Sequence, residues 1–310
     1  MRLGADHVRV RVPATSANLG PGFDALGLAL DLVDELEVRA LGSPGVQVEV
    51  TGEGAGQVPD DEQHLVISSL RAALDHVGAP QTGLHLVCHN RIPHGRGLGS
   101  SAAAVVAGIM AARGLIAEPE ALCDEVVIDL AASIEGHPDN AAPAVLGGAT
   151  LAWSEGSGFR AIGLAVDPSV VPIAIVPPHH LSTKAARGVL PATVPHADGA
   201  FQAGRAALLV EALGRHPELL LSATEDRLHQ DYRRPVMRDS LALIDALRAQ
   251  GVAAVVSGAG PTVLVLARAV GSGTDADEAI SAAFGGAMGG WRILPLAIDR
   301  AGATVEPSSR

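Results

Sequence analysis

The chain has 310 residues, enough for one large domain or two of ordinary size with a core that needs no disulfide staples. Hydrophobic residues make up 48% and charged residues 18%, which excludes a disordered chain. Asp plus Glu number 34 against 22 Lys plus Arg, a net charge of −12. That balance argues against nucleic acid or an anionic membrane as partner unless a basic patch overrides it, and the sequence has no such patch.

Aromatic residues are only 2%, so the core must be built from Val, Leu, Ile and Ala. Lys184 is the only lysine. A phosphate ligand would therefore rely on arginine, backbone N–H groups or a metal. Cys88 and Cys123 show no metal-type spacing and read as free, buried thiols of a reducing compartment. The opening segment has no apolar signal core, and the longest uncharged apolar stretch, Gly97 to Ala112, is too short and too rich in small residues to span a membrane. A soluble, cytoplasmic protein is expected.

In chain order, "HVRVRVPA" alternates as a half-buried strand ending at Pro13, followed by the loop "TSANLGPGFDALG". "LALDLVDELEVRAL" suits strand or helix, and its flanking glycines and Val38 favour strand. "GVQVEVTGEG" is a strand. "DDEQHLVISSLRAALDHVG" has helical spacing, with Leu65, Ser69, Ala72, Ala73 and His76 on one side and Gly78 as the stop. "GLHLVCHNRIP" is a strand, then a glycine loop leads into a helix from Ser100. "EPEALCDEVVIDLAASIEG" reads as one helix with Pro119 in its first turn, "GHPDNAAPAVLGG" as a loop and "ATLAWSE" as a strand. The pattern restarts near Val166: a buried strand "VPIAIVPP", a helix "GAFQAGRAALLVEALGRHPELLLSAT", a short helix "SLALIDALRAQG" and two strands around a Gly-Pro turn in "VAAVVSGAGPTVLVLAR". The tail "PSSR" reads as disordered. "SEGSGFRAIGLAVDP" is the best boundary candidate, giving two α+β halves, 1–160 and 161–310.

"GRGLGSSAAA" admits two readings. One is a tight turn before a buried Ala-rich helix. The other is a phosphate site, because a helix start exposes unpaired N–H groups and glycines let an anion reach them. Ser100 and Ser101 can cap that helix, and a serine hydroxyl can also hold Mg²⁺. The segment is not a Walker A loop, since the lysine is missing, nor G-x-G-x-x-G, since Gly95, Gly97 and Gly99 alternate.

The stretch Pro93, His94, Gly95, Arg96, Gly97, Leu98, Gly99, Ser100, Ser101, Ala102, Ala103 resembles the phosphate motif P-x-x-x-G-L-G-S-S-A-A of the GHMP small-molecule kinases. "VPATSANLGPGFDALGLAL" and "VSGAGPTVLVLA" resemble that family's first and third motifs, in the right order. The first motif and "EGHPDNAAPAVLGG" are closest to the branch that acts on homoserine. The resemblance implies an N-terminal ATP-binding domain like ribosomal protein S5 domain 2, a ferredoxin-like C-terminal domain, ATP and Mg²⁺ as cofactors, L-homoserine as substrate and a homodimer. Rival readings are a GHMP kinase for a mevalonate-type or sugar substrate, and a non-catalytic nucleotide-binding protein on the same fold.

Carried onto single positions, the resemblance gives each residue a role beside a plainer one. Asn18 and Asp24 are good turn residues, and the family pattern aims them at the substrate. Glu135 is either a surface carboxylate or, with Ser100, a Mg²⁺ ligand. Only Gly136 separates it from "HPDN", fewer residues than in many relatives, and Asp129 is the alternative ligand. His137 and Asn140 would shape the substrate pocket, and Asp139 would be a general base if one is used. Arg187, with Thr183 a helical turn before it, and Arg233, adjoining Arg234, match motifs that would clamp a substrate carboxylate. Gly258 and Gly260 form either a hairpin turn or a loop beside substrate and phosphates. His64 stands near the adenine, where the family often has Asn.

Overall fold

The computed structural model describes residues 1–285 and 289–307 and builds them around two sheets. In the first, β1 (His7–Ala17) pairs antiparallel with β2 (Leu26–Leu41). β1 does not stop at Pro13. Its register shifts between Pro13 and Ala14, an irregularity that accommodates a residue lacking an N–H, and the strand runs on to Ala17. Thr15 and Ser16 are thus strand residues, and the loop begins only at Asn18. β2 is one continuous strand. β3 (Val46–Gly52) lies parallel to β4 (Gly83–Asn90), which returns beside β2.

Between them α1 (Leu65–His76) buries Val66, Ile67, Leu70, Ala73 and Leu74, while Ala72 and His76 are exposed. The face is rotated from the expected one because the larger aliphatic side chains, rather than Ser and Ala, set the apolar stripe. α2 (Ser100–Leu115) is buried on nearly every side, which its run of Ala, Val and Ile permits. α1 crosses it at Gly108, where a Cβ would come within 2.3 Å of the Val66 carbonyl oxygen.

The predicted single helix beyond Pro119 is broken. A 3-10 turn, Pro119–Leu122, ends at an extended Cys123, and α3 (Asp124–Glu135) starts afresh. The expected loop after it contains a short helix, α4 (Ala141–Leu146), with Pro143 in its first turn, where a missing N–H costs nothing. β5 (Ala149–Glu155) and β6 (Gly158–Leu164) form a hairpin on the first sheet, so a division at 160/161 falls inside β6. The chain changes sheets only between Leu164 and Val170.

The second sheet begins with β7 (Val170–Val176). α5 (Thr183–Gly188) and α6 (His196–Gly214) follow, and the predicted long helix again breaks before a 3-10 turn and α7 (Leu220–Ala223). α8 (Arg238–Ala249), β8 (Ala254–Val256), β9 (Val263–Val270), β10 (Gly273–Thr274), α9 (Asp277–Phe284) and β11 (Arg292–Pro295) complete it. β9 lies between β8 and β7, and β11 flanks β7, all antiparallel: the ferredoxin-like order. Ala174, Val176, Leu264 and Leu266 face the core shared with the first sheet, while Ile173, Ile175, Val263 and Val265 face α8 and α9. β12 (Thr304–Pro307) then returns to the first sheet beside β1. Pro307 is therefore ordered in a strand, and the rest of the "PSSR" tail lies outside the described residues.

Gly108→Ala tests the helix crossing. Helix propensity alone favours Ala by about 1 kcal/mol, but the contact with Val66 should reverse the sign and destabilise the fold by about 1–3 kcal/mol, read from the urea midpoint.

Candidate active site

Three loops converge where the two sheets meet. Thr15 N donates to Leu98 O at 3.1 Å and Gly258 N to Ala17 O at 3.0 Å. The buried Ser257 hydroxyl donates to Gly97 O at 2.6 Å and shares a bond with Ser16 Oγ at 2.8 Å. Gly97 and Gly99 hold φ of 77° and 68°. A Cβ on Gly97 would meet Ser257 O at 2.3 Å, and one on Gly99 would meet Thr15 Oγ1 at 1.9 Å. Both glycines are demanded by backbone conformation and by close approach.

Gly99 caps α2 in the left-handed region, with no side-chain cap. The first intrahelical bond is Ala103 N to Gly99 O at 2.8 Å, so the N–H groups of Ser100, Ser101 and Ala102 have no backbone acceptor among the described residues. No acidic residue occupies this first turn, and all three residues line one cavity. The place is electropositive through main chain alone. Arg96 does not add to it: its guanidinium donates to the carbonyls of Pro177, Pro178 and His94, which ties the glycine loop to the end of β7. Leu98 and Ala103 are fully buried.

Ser100 and Glu135 both line this cavity, but the hydrogen bond to the carboxylate comes from the next residue. Ser101 Oγ donates to Glu135 Oε1 at 2.7 Å, while Ser100 Oγ makes no hydrogen bond among the described residues. Asp129 turns the other way and accepts from Phe159 N at 2.7 Å. A carboxylate beside a hydroxyl gives two hard oxygen donors, a set that suits Mg²⁺ once phosphate oxygens complete it. Among the described residues no cluster of three acidic, His or Cys side chains is placed to hold a metal by itself.

The same cavity is lined by Asn18, His137, Asp139, Asn140, Thr183, Arg187, Arg233, Gly258 and Gly260, which brings together every predicted substrate position except Asp24. Asp24 is joined to the cavity through a two-point ion pair with Arg187, whose Nη1 donates to Asp24 Oδ2 at 3.1 Å. That bond holds the Arg187 guanidinium above its ordinary pKa. Asn18, Leu19 and Asp24 all have positive φ (70°, 50° and 56°). Asn18 braces this strained loop, accepting from Asp24 N and donating to Gly258 O, both at 2.9 Å.

Arg233 is only 1% exposed. It donates to Ala186 O (3.2 Å), Gly258 O (3.1 Å) and His229 Nδ1 (2.8 Å), and ion-pairs with no carboxylate among the described residues. Burial, followed by the nearby Arg187 charge, pushes its pKa down to about 10. The neighbouring Arg234 is a surface residue paired with Asp231 and Asp245, which settles the register of the "YRR" segment. Asp139, 2% exposed, accepts from His137 Nδ1 at 2.8 Å and from Asn140 Nδ2 at 3.3 Å. The Asp139 bond raises the His137 pKa above its ordinary value. Thr15 Oγ1 donates to Asn140 Oδ1 at 2.8 Å, fixing that amide.

His64 lies elsewhere, in an apolar slot beyond the first turn of α2 with Leu36, Val66, His94, Ala103 and Ala104. It is 5% exposed, and its Nδ1 is buried with no hydrogen-bond partner among the described residues. Burial lowers the pKa of His64 and of His94. Sequence reasoning passed over Phe23, whose ring stacks on His229 at 5.0 Å and lies 5.5 Å from the Arg187 guanidinium and 5.7 Å from that of Arg233. Its place between Gly22 and Asp24 in the first motif was the available signal.

The model for the GHMP kinases N terminal domain matches residues 64–148, and that for the GHMP kinases C terminal domain matches 199–287. The homoserine kinase of Streptomyces coelicolor is 55% identical over 97% of this chain and 94% of its own. Among solved structures, homoserine kinase from Cytophaga hutchinsonii superposes with a TM-score of 0.86 at 27% identity, covering 98% of both chains. A mevalonate kinase from L. major bound to R-mevalonate superposes at 0.68 with 19% identity over 94% of this chain and 95% of its own, a likeness of fold alone. Matched in both halves and along nearly its whole length, the chain belongs to the GHMP kinase family.

Proposed function

We infer that this chain is a homoserine kinase, a phosphotransferase that passes the γ-phosphoryl group of ATP to the side-chain hydroxyl of L-homoserine. The product, O-phospho-L-homoserine, would feed threonine synthesis. The observation that carries the substrate assignment is Arg233, a buried cation facing the cavity with no carboxylate in ion-pair contact among the described residues. An uncompensated buried charge costs several kcal/mol. An amino-acid carboxylate would remove that cost with charge-assisted hydrogen bonds. Asp24, already paired with Arg187, offers acceptors for the ammonium group on the same side. A sugar has no carboxylate for Arg233 and no ammonium for Asp24, and mevalonate has no ammonium.

The N–H groups of Ser100, Ser101 and Ala102 would receive phosphate oxygens, and Gly95, Gly97 and Gly99 keep the approach open. The slot at His64 shares the first turn of α2 with that site, so a nucleotide with its phosphates there would lay its base against His64, His94 and Ala104. His64 Nδ1 would then find its missing partner on the base. Glu135 and Ser101 would hold Mg²⁺, which when bound neutralises charge on the transferring group. A loose transition state needs alignment and charge neutralisation more than proton abstraction. Proton handling falls to the His137–Asp139 pair, with the buried Asp139 holding the imidazole rather than meeting the hydroxyl alone.

ADP release should be stimulated by L-homoserine and not by mevalonate, and the reverse result would overturn the assignment. Arg233→Met should raise the KM for homoserine by roughly 10²-fold or more, the cost of a lost charged contact, with the KM for ATP unchanged. Loss of the buried charge is offset by loss of its bonds to Ala186 O, Gly258 O and His229 Nδ1, so the ligand-free protein should change little in stability. Ser101→Ala and Glu135→Gln should lower kcat and raise the Mg²⁺ needed for half-maximal rate, with Ser100→Ala the milder change. For His137 the sign follows from its raised pKa: the imidazolium bound to Asp139 persists above the ordinary value near 6.5. NMR titration should therefore find its midpoint above that value, and Asp139→Asn should lower it. kcat should rise with pH through the same midpoint if the neutral imidazole takes the proton.

A further inference from the structure

Arg233 is held by more than the two carbonyls beneath it. His229, four residues earlier, is wholly buried and touches both halves of the substrate site. A guanidinium has no acceptor, so the 2.8 Å contact between Arg233 Nη1 and His229 Nδ1 requires Nδ1 to be the bare, accepting nitrogen. The proton must then sit on Nε2, which donates to Gly20 O at 2.7 Å. The hydrogen-bond partners alone thus fix the tautomer. Phe23 stacks on the same ring at 5.0 Å. Gly20 and Phe23 belong to the strained loop that carries Asn18 and Asp24.

The backbone that carries the imidazole is itself anchored. Asp226 Oδ2 accepts from His229 N at 3.0 Å and from Gln230 N at 2.8 Å, and Asp226 Oδ1 accepts from Gln202 Nε2 at 2.7 Å. Gln202 Nε2 also donates to Pro21 O at 3.0 Å, in the same loop. Burial lowers the imidazole pKa, which keeps Nδ1 unprotonated beside the arginine.

We propose that His229 is the positioning residue of the carboxylate site: its Nδ1 orients the Arg233 guanidinium, while the Nε2–H bond to Gly20 O fixes the tautomer that leaves Nδ1 free to accept. The proposal rests on the reading that Arg233 receives the substrate carboxylate. His229 touches no substrate; it acts through Arg233.

Two amide substitutions separate its two bonds. In His229→Asn the side-chain oxygen can take the place of Nδ1 and keep the acceptor for Arg233. In His229→Gln the amide nitrogen can take the place of Nε2 and keep the donor to Gly20, but the acceptor is gone. His229→Gln should raise the KM for homoserine by roughly 10- to 100-fold, the scale of a lost hydrogen bond to a charged group. Its KM for ATP and its kcat at saturating homoserine should stay within about threefold of the parent, since only binding of one substrate is touched. His229→Asn should stay within about threefold on all three constants. Equal rises in the two variants, or no rise in His229→Gln while Arg233→Met raises the homoserine KM, would overturn the proposal. An unchanged homoserine KM in Arg233→Met would instead remove Arg233 from the carboxylate site and leave the His229 contacts intact. Should either amide variant fail to fold, nitrogen NMR of the parent protein decides: an Nε2–H tautomer whose Nδ1 signal moves when homoserine binds is expected, and an Nδ1–H tautomer or an unmoved signal would overturn the proposal.

Discussion

The clasp around Ser257 is the contact on which the site depends. One buried hydroxyl touches the glycine loop at Gly97 and the end of β1 at Ser16, and the next residue donates to Ala17. Three segments far apart in sequence are thereby held to within a hydrogen bond of each other. Because Gly97 and Gly99 have no side chains, β1 and the Ser257 loop can press directly on the backbone that precedes α2. The free amides of that helix then face a cavity whose other wall comes from the second half of the chain. Neither sheet alone would form it.

Charge is distributed over this cavity by pairing, not by abundance. Arg187 is neutralised by Asp24, Arg96 is absorbed by carbonyls, and Arg234 lies at the surface. Among the described residues Arg233 makes no ion pair, and the amides at the helix start lack backbone acceptors. In an acidic chain with a single lysine, these two features are what the cavity offers an anion.

Much of this was legible in the sequence. The alternating strands, the Ala-rich central helix and the three motifs are local patterns, and their order alone implied the two-part fold. The glycine spacing announced close approach before any coordinate was known. What the sequence hid was long-range or a matter of degree. Pro13 reads as a terminator but sits at an irregularity that lets the strand continue. Of the residues read onto one side of α1, Ser69 and Ala73 are buried but Ala72 and His76 are exposed, because Ser and Ala positions fit the period as well as Val66 and Leu70 do. The hydroxyl facing Glu135 turned out to be Ser101, since adjacent residues at a helix start point about 100° apart and nothing local says which one meets α3. His229 carries no local signal, as its contacts are Arg233 and Gly20, the latter about two hundred positions away.

The return of β12 to the first sheet has a consequence for how the chain is made. Val305 packs where a side chain on Gly114 of α2 would collide, Ala303 N donates to Ala144 O at 2.7 Å, and Arg11 reaches Asp299. These residues are translated after the whole ferredoxin-like unit. On the ribosome the first sheet must therefore wait, with the outer edge of β1 open and α2 partly uncovered, until the second unit has emerged. A split into separately expressed halves would need residues 296–307 supplied in trans, so the two domains are one inheritance even though their sheets are distinct.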